Sequence, residues 1–205
     1  MARPNVLVGH WPLSGPGRED QYLIYGNFFY QNPNEALFQG EGNLAFYNNL
    51  LVNDFADAVH IQPHNDIPRR ISIFFNTVIT PQVGIAVRQR EDELLPPGAD
   101  FRQWVIANAV FAAQPIVARD REGNITGSVS QAQDYLRNPA VAPSEMDLRP
   151  INAMTAKFDP APLEEFLDWN LDFDGVVRTA GEVGAYSAEQ AASYWVPRLD
   201  LKPVP

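Results

Sequence analysis

A six-residue phrase returns four times in this chain, and it constrains the fold more than any other feature of the sequence. Each copy has two apolar residues, then a small or polar pair, then two more apolar residues. The copies are residues 24–29 (IYGNFF), 46–51 (FYNNLL), 74–79 (FFNTVI) and 106–111 (IANAVF). Their third residues lie 22, 28 and 32 positions apart. These spacings match the period of roughly 20 to 50 residues that is typical of solenoid proteins.

A second apolar run follows each copy after a turn, centred on Leu37, Val59, Ile85 and Ile116. Both kinds of run are short, rich in β-branched and aromatic residues, and bounded by Asn, Asp and Pro, which indicates strands rather than helices. Stacking the coils places the third residues of the phrase at one corner, where the side-chain amides of successive coils can bond to one another. We therefore predict an asparagine ladder formed by Asn48, Asn76 and Asn108, with Gly26 at its first step.

This column resembles the asparagine ladder of right-handed parallel β-helix proteins, the superfamily of pectate lyases, polygalacturonases and alginate lyases or epimerases. Residues 43–53 and 71–78 are close to the usual sequence of such a coil. Residues 172–186 resemble the closing passage of many bacterial members, although Ser187 stands where the family usually has Glu. The resemblance implies an all-β fold, a right-handed parallel β-helix of about four coils with a C-terminal extension of irregular chain and short helices. It also implies an extracellular or periplasmic location.

The chain is expected to divide into three parts. Residues 1–21 form an irregular segment or partial cap, residues 22–124 form the coils, and residues 125–205 pack on the solenoid as a strap with short helices. Because no amphipathic capping helix precedes the first coil, the sequence favours the C-terminal portion of a longer solenoid. The alternative is that residues 5–15 fold over the end of the stack as a cap.

The C-terminal third has the signals of short helices and of an extended strap. Helices are predicted at residues 128–137, 162–169 and 187–194, the first and last from capping-box patterns. The five prolines in residues 139–162 indicate the strap, and the turn residues at 94–98 indicate an excursion between coils. Four large side chains are expected to be buried under this extension: Phe166, Leu167, Trp169 and Trp195.

Composition limits the classes of function. The net charge of −10 and the isoelectric point near 4.7 argue against nucleic-acid binding, which needs a basic surface. No apolar run approaches the roughly 18 residues that a membrane helix needs, and residues 1–5 lack the pattern of a secretory signal. With no cysteine there is no disulfide, no thiol nucleophile and no cysteine-ligated metal. The oligomeric state leaves no signal in the sequence.

A cluster of oxygen ligands near residue 172 imitates the start of a calcium loop. Asn170, Asp172, Asp174 and Gly175 have the spacing in which alternate oxygens wrap the ion and Gly makes the bend. The position of the bidentate acid is Gly181, so an ordinary Asp-Gly turn is the favoured interpretation. No metal and no cofactor is predicted.

Two histidines in the second coil are the next candidates. Alternation along the strand sends Val59 inward, so His60 and Gln62 face outward on the same side. Together with Asp57, His60 and His64 form a candidate base and its orienting acid. The alternative is that both are ordinary surface or hydrogen-bonded histidines.

A basic column is the third candidate. The positions three residues after the stacked apolar run are Gly40, Gln62, Arg88 and Arg119, and the positions two further on, from the second coil onward, are His64, Arg90 and Arg121. A guanidinium group pairs with carboxylates and sulfates in a bidentate manner, as a groove for an acidic polysaccharide requires. The alternative is that these arginines are neutralised by nearby acids: Glu91, Asp92, Glu93, Asp120 and Glu122.

The chemistry implied by the resemblance narrows the function. Polyuronate lyases of this fold need a cation for the sugar carboxylate and a base, whereas hydrolases need a close pair of acids. The predicted coils contain no lysine and no such pair. The sequence therefore predicts a protein that acts on or binds acidic polysaccharide, and a lyase working by β-elimination if it is an enzyme. The candidate catalytic residues are His60, His64, Arg88 and Arg90, and the candidate binding residues are Gln62, Arg119 and Arg121. A non-catalytic structural or glycan-binding solenoid is the alternative.

Overall fold

Short parallel strands wind into a solenoid in the computed structural model, which describes residues 3–88, 102–189 and 195–198. In chain order the strands of the solenoid are β1 (Val6–Val8), β2 (Tyr22–Tyr25), β3 (Phe28–Tyr30), β4 (Phe38–Gly40), β5 (Leu44–Tyr47), β6 (Leu50–Val52), β7 (Val59–Ile61), β8 (Ile71–Phe74), β9 (Thr77–Ile79), β10 (Val83–Val87), β11 (Gln103–Ile106), β12 (Ala109–Phe111), β13 (Gln114–Val117), β14 (Asp120–Glu122) and β15 (Ile125–Gly127). Within the described residues, turns, bends or short irregular segments separate the strands, as the turn-forming residues of the sequence indicated.

Three parallel sheets of five strands form the walls of the solenoid. Sheet A has the order β1-β4-β7-β10-β13, sheet B has the order β2-β5-β8-β11-β14, and sheet C has the order β3-β6-β9-β12-β15. Every coil thus contributes one strand to each sheet, which confirms the predicted parallel β-helix architecture. The described residues form five coils rather than about four. Strand β1 pairs with β4, so the first coil begins inside the segment 1–21, for which irregular chain was predicted.

The asparagine ladder is confirmed, but one of its predicted asparagines is wrong, and its first step is Asn27 instead of the predicted Gly26. In this ladder the backbone N–H and the side-chain N–H of each Asn donate to Oδ1 of the Asn in the next coil, at 2.8–3.1 Å. Asn49 takes the place predicted for Asn48. The members are Asn27, Asn49, Asn76, Asn108 and Asn124.

A one-residue offset in the repeat phrase explains this error. Tyr47 pairs with Phe74, and therefore Asn48 stacks on Phe75 rather than on Asn76. The residue before each ladder Asn has a positive φ, between 51° and 66°. These residues are Gly26, Asn48, Phe75, Ala107 and Gly123. A single residue in the left-handed conformation makes the sharp bend between sheets B and C. Because its residue type differs between coils, its position in the repeat identifies the bend better than its residue type does.

The second apolar run shows a similar shift. Phe38, not Leu37, pairs with Val59, which in turn pairs with Ile85. Ile85 pairs with Ile116 in the last coil, as predicted. This shift places Glu41, instead of Gly40, in line with Gln62 and Arg88.

Two hydrophobic cores stabilise the fold. The inner core fills the solenoid with side chains such as Phe38, Phe46 and Leu51, which are fully buried. The outer core lies between the outward faces of sheets B and C and the C-terminal extension. It contains Phe74, whose ring stacks on that of Tyr47 with 4.5 Å between centroids.

The C-terminal extension, residues 128–189 and 195–198, contributes half of this outer core. A 3₁₀ turn (Val129–Gln131) and a short helix α1 (Ala132–Tyr135) replace the longer helix predicted at 128–137. A hairpin of β16 (Leu136–Asn138) and β17 (Asp147–Pro150) follows. The helix predicted at 162–169 is wrong, because only Ala161–Leu163 is 3₁₀-helical and turns follow it. Of the helix predicted at 187–194, residues 187–189 are irregular and the rest lies outside the described residues, as does the excursion at 94–98.

Burial of the large side chains of the extension agrees with the prediction in two cases of four. Phe166 and Trp195 are buried, and Trp169 is partly buried. Leu167 is wrong, because it is 65% exposed on the turn that replaces the predicted helix. No helix in the described ranges is long and apolar enough to cross a membrane.

Candidate functional site

The predicted site residues gather where the chain passes from sheet A to sheet B. We call this edge the A–B corner; among the described residues it comprises 9–21, 41–43, 62–70, 88, 102 and 118–119. His60 lies on β7, just before the corner, and four candidates lie within it: Gln62, His64, Arg88 and Arg119. Arg90 lies outside the described residues. Arg121 lies on β14 of sheet B.

His60 forms a close pair with an acid. Its Nε2 lies 2.8 Å from Oδ2 of Asp57, although the contact geometry is not that of a regular hydrogen bond. Asp57 is fixed in turn, because its Oδ1 accepts the backbone N–H of Val83 at 2.8 Å. Burial lowers the pKa of His60 below its usual 6.5, against the opposing effect of Asp57, and the charge of Arg88 lowers it further. The imidazole is therefore neutral at pH 7.

The outward strand face around His60 is less accessible than the alternation predicted. His60 points outward, in register with Gln39 and Ala86 on the neighbouring coils. It is nevertheless only 8% exposed, and Ala86 is fully buried. A neutral, nearly buried imidazole beside a carboxylate has the chemistry of a base, but substrate access to it is limited.

Arg88 and Arg119 form an exposed basic pair on successive coils. The backbone N–H of Arg88 donates to Ile61 at 2.7 Å, which continues the strand register past β10 and places Arg88 beside Gln62. Val117 pairs with Ala86, and Arg119 and Arg88 each lie two residues further along the chain, so the two arginines follow paired positions on successive coils. Both side chains are exposed. Within the described parts of the chain, neither guanidinium forms a hydrogen bond or an ion pair.

Of the five acids named as alternative partners of these arginines, two lie in the described residues. Asp120 and Glu122 form no ion pair with Arg119 or Arg121 among the described residues. The other acids proposed as partners, residues 91–93, lie outside the described residues. Arg121 does not join the basic pair, because Val105 is its strand partner and its guanidinium donates to the backbone carbonyl of Ile116 at 3.0 Å. It closes the end of the last coil instead of facing the corner.

A buried glutamate that sequence analysis missed organises the corner. Glu41 is 1% exposed, and Oε1 accepts the backbone N–H of His10 at 3.0 Å. Its Oε2 accepts the backbone N–H groups of His64 and Asn65 at 2.8 and 2.7 Å. One carboxylate thus connects the corner segments of coils 1, 2 and 3. The exposed side chain of His64 is held in place through its backbone.

A second missed cluster lies beside this glutamate. His10 is 1% exposed, and its Nδ1 lies 3.0 Å from Oδ2 of Asp66 and 3.2 Å from a guanidinium nitrogen of Arg69. Arg69 also contacts Oδ2 of Asp66 at 3.0 Å and Glu19 at 3.3 Å. Sequence analysis did not identify these residues, because groups that meet here are far apart in the chain: Glu41 and His64 by 23 positions, and His10 and Arg69 by 59.

The calcium-like segment is a turn that joins the extension to the solenoid. Asp172 uses Oδ1 to accept the N–H groups of Asp174 and Val176 and Oδ2 to accept that of Ser187. The described residues contain no group of three or more His, Asp or Glu side chains placed to hold a metal ion. The guanidinium of Arg178 lies 4.2 Å from the Phe75 ring centroid and donates to Oδ1 of Asn48 at 2.7 Å.

Two clefts lie away from the A–B corner. One of about 350 Å³ separates sheet C from the extension and includes Val52, Ile79 and Met146. Another of about 420 Å³ lies at the end of the last coil and includes Arg121 and Asn124. The exposed arginines of the corner line neither of them.

Comparison with known proteins adds no relative. No protein family, no curated protein and no solved structure matches the chain. The chain is thus assigned to an architecture, the parallel β-solenoid, on the order and register of its three sheets.

Proposed function

We propose that this protein binds an acidic polysaccharide along the A–B corner, with the polymer crossing successive coils. The observation that carries the proposal is the exposed pair of Arg88 and Arg119, which have no acidic partner among the described residues. Parallel strands repeat at about 4.8 Å, so the two side chains start from backbone positions about one strand spacing apart. A polymer with a carboxylate or sulfate on each sugar offers both guanidinium groups a partner.

The acidic net charge of the chain does not exclude this partner. Charges further away than about 8 Å are largely screened at physiological ionic strength. The groups nearest the ligand then decide the attraction: Arg88, Arg119 and the amide of Gln62 favour it, and the exposed Glu19 and Asp120 oppose it. Binding to an exposed surface of this kind should be sensitive to salt.

Catalysis is a further step that the resemblance to the pectate lyase-like superfamily suggests. In a β-elimination, neutral His60 would take the proton from the carbon beside the carboxylate, while Arg88 neutralises that carboxylate. The electron pair of the broken C–H bond forms the C=C bond, and the glycosidic oxygen leaves and is protonated by water. Because His60 is only 8% exposed, its burial favours binding over catalysis. The same resemblance suggests an extracellular or periplasmic location.

The experiment is a binding titration with polygalacturonate, alginate and heparin at low and at physiological salt. The double variant Arg88→Gln, Arg119→Gln should bind at least tenfold more weakly than the wild type, since two charge-assisted contacts are lost. Arg137→Gln is a matched control, because Arg137 is an exposed arginine on the extension. It should leave binding unchanged.

The same samples separate binding from catalysis. Ultraviolet absorption from an unsaturated product, lost in His60→Ala, would support a lyase. Binding without product would support a glycan-binding module. Absence of binding to all three polymers at low salt would refute the proposal and leave a structural solenoid.

A further inference from the structure

The A–B corner carries an exposed aromatic ring that the proposed site has not used. Trp11 is 69% exposed, whereas Trp195 is buried and Trp104 and Trp169 are partly buried. These are the four tryptophans of the chain. We infer that Trp11 is a stacking platform for a sugar ring, at the first-coil end of the site for acidic polysaccharide. This inference rests on the proposed function.

The topology places Trp11 on the same edge as the basic pair. It lies between β1 and β2, in the A–B corner segment of coil 1, while Arg88 and Arg119 occupy the corner of coils 4 and 5. Coil 1 and coil 5 are four strand spacings apart, on the order of 20 Å along the solenoid axis. A polymer of about this length along the axis can contact both features.

The chain around Trp11 is held firmly. The preceding residue, His10, is buried, and its backbone N–H donates to Glu41 at 3.0 Å. Gly42 lies so close to His10 that a Cβ built on it would be 2.3 Å from the Cβ of His10. Since Glu41 also binds the backbone N–H of His64, one buried carboxylate fixes the segments that carry Trp11 and His64. A fixed backbone reduces the conformational entropy that this segment loses when a ligand binds.

The ring and the arginines would recognise different parts of one ligand. A pyranose presents a face of C–H groups, which packs on the face of an indole, whereas its carboxylate or sulfate projects from the ring edge toward cations. A neutral polysaccharide would satisfy the ring alone, and a non-sugar polyanion would satisfy the arginines alone. The combination selects a polymer with both features, such as a polyuronate.

The test compares Trp11→Ala, Trp11→Phe and Phe55→Ala in titrations with polygalacturonate at low salt. Phe55 is a matched control, because it is 54% exposed and lies at a different corner, between β6 and β7. Trp11→Ala should weaken binding about three- to tenfold, and Trp11→Phe should weaken it less because a ring remains. Phe55→Ala should bind as the wild type does. Saturating polygalacturonate should also protect the wild-type fluorescence from acrylamide quenching, and this protection should be lost in Trp11→Ala.

The outcomes distinguish this inference from the function on which it rests. If Arg88→Gln, Arg119→Gln weakens binding while Trp11→Ala binds normally and retains the protection from quenching, the inference is overturned and the proposed function stands. If the wild type binds no acidic polymer at low salt, both are overturned. Weaker binding of Trp11→Ala with an unchanged Phe55→Ala supports both.

Discussion

Replacing Asn76 tests whether the asparagine ladder stabilises the solenoid. Asn76 is fully buried at the centre of the ladder, and its Oδ1 accepts both the backbone N–H and the side-chain N–H of Asn49, each at 3.0 Å. Its Nδ2 donates to Oδ1 of Asn108 at 2.9 Å and to the carbonyl of Phe46 at 2.9 Å. Asn76→Ala removes all of these contacts and introduces no charge.

The expected loss follows from which groups keep a partner. The Nδ2 of Asn49 retains the carbonyl of Ile24, and Oδ1 of Asn108 retains the backbone N–H of Asn76. The backbone N–H of Asn49 retains none of its ladder contacts and stays buried. An orphaned buried donor costs about 1–3 kcal/mol, and the other lost bonds add about 1 kcal/mol. The free energy of unfolding should therefore fall by about 2–4 kcal/mol.

Urea unfolding measures this loss. With a urea dependence of about 2–3 kcal/mol per molar, the midpoint should fall by about 1 M with an unchanged slope. Asn27→Ala is the control, because Asn27 occupies the exposed first step of the ladder and its side chain accepts no ladder bond. It should cost about 1 kcal/mol or less. Equal losses for the two variants would refute the argument that orphaned buried donors give the ladder its stability.

Two further predictions concern His60 and the glycines at the bend between sheets B and C. Gly26→Ala and Gly123→Ala both place a side chain at positive φ, which costs about 1–2 kcal/mol. Gly123→Ala should lower the thermal unfolding midpoint more than Gly26→Ala does. A Cβ at position 123 would lie 2.7 Å from the Cβ of Phe158, whereas a Cβ at position 26 meets nothing within 4 Å. Similar midpoints would contradict this. Burial lowers the pKa of His60 in the folded protein below 6.5, its value in the unfolded chain. The stabilisation by neutral His60 is therefore present above pH 6.5 and is lost as the pH falls through the pKa of the folded protein. The stability difference between pH 7.5 and pH 5 should therefore be smaller in His60→Gln than in the wild type, and an equal difference would argue against the lowered pKa.

The repeat was sufficient to predict the architecture but not the register. Residue type alone aligned Asn48 with Asn76, since both follow two aromatic residues. The bend needs one left-handed residue followed by the ladder Asn, and in the third coil Phe75 fills the bend position at φ 52°. An aromatic residue is a poor sequence signal for this conformation. Only the strand pairing of Tyr47 with Phe74 reveals the offset.

The terminal coils escaped prediction for a related reason. β1 has the sequence VLV and stands alone before a long excursion, so no complete phrase accompanies it. In the last coil the strand before the bend is DRE, which is exposed and charged where earlier coils are apolar. A signal was nevertheless present, because the pair Gly123-Asn124 repeats the pair Gly26-Asn27 of the first coil. Charged residues at the edge of a sheet are a common protection against edge-to-edge pairing.

The buried polar contacts of the site could not be predicted from the sequence, for a different reason. Glu41 reads as a surface residue in a short turn, but three backbone N–H groups from two other coils compensate its burial. The spacing of the repeat predicts which corners coincide, not which side chain points inward there. The repeat spacing does predict that Arg88 and Arg119 lie near the ends of β10 and β13, because each follows its strand within two residues.

The way the extension packs determines which face of the solenoid is left for a ligand. The outer core takes its solenoid residues from the outward faces of sheets B and C, including Tyr47, Phe74 and Phe111. Arg178 of the extension binds the bend between those two sheets, because its guanidinium donates to Oδ1 of Asn48 and lies over the Phe75 ring. A polymer cannot reach strands beneath a packed apolar layer. The A–B corner borders the one sheet that contributes no residue to that layer, and it carries Trp11, Arg88 and Arg119 at its surface, so it is there that binding should be sought.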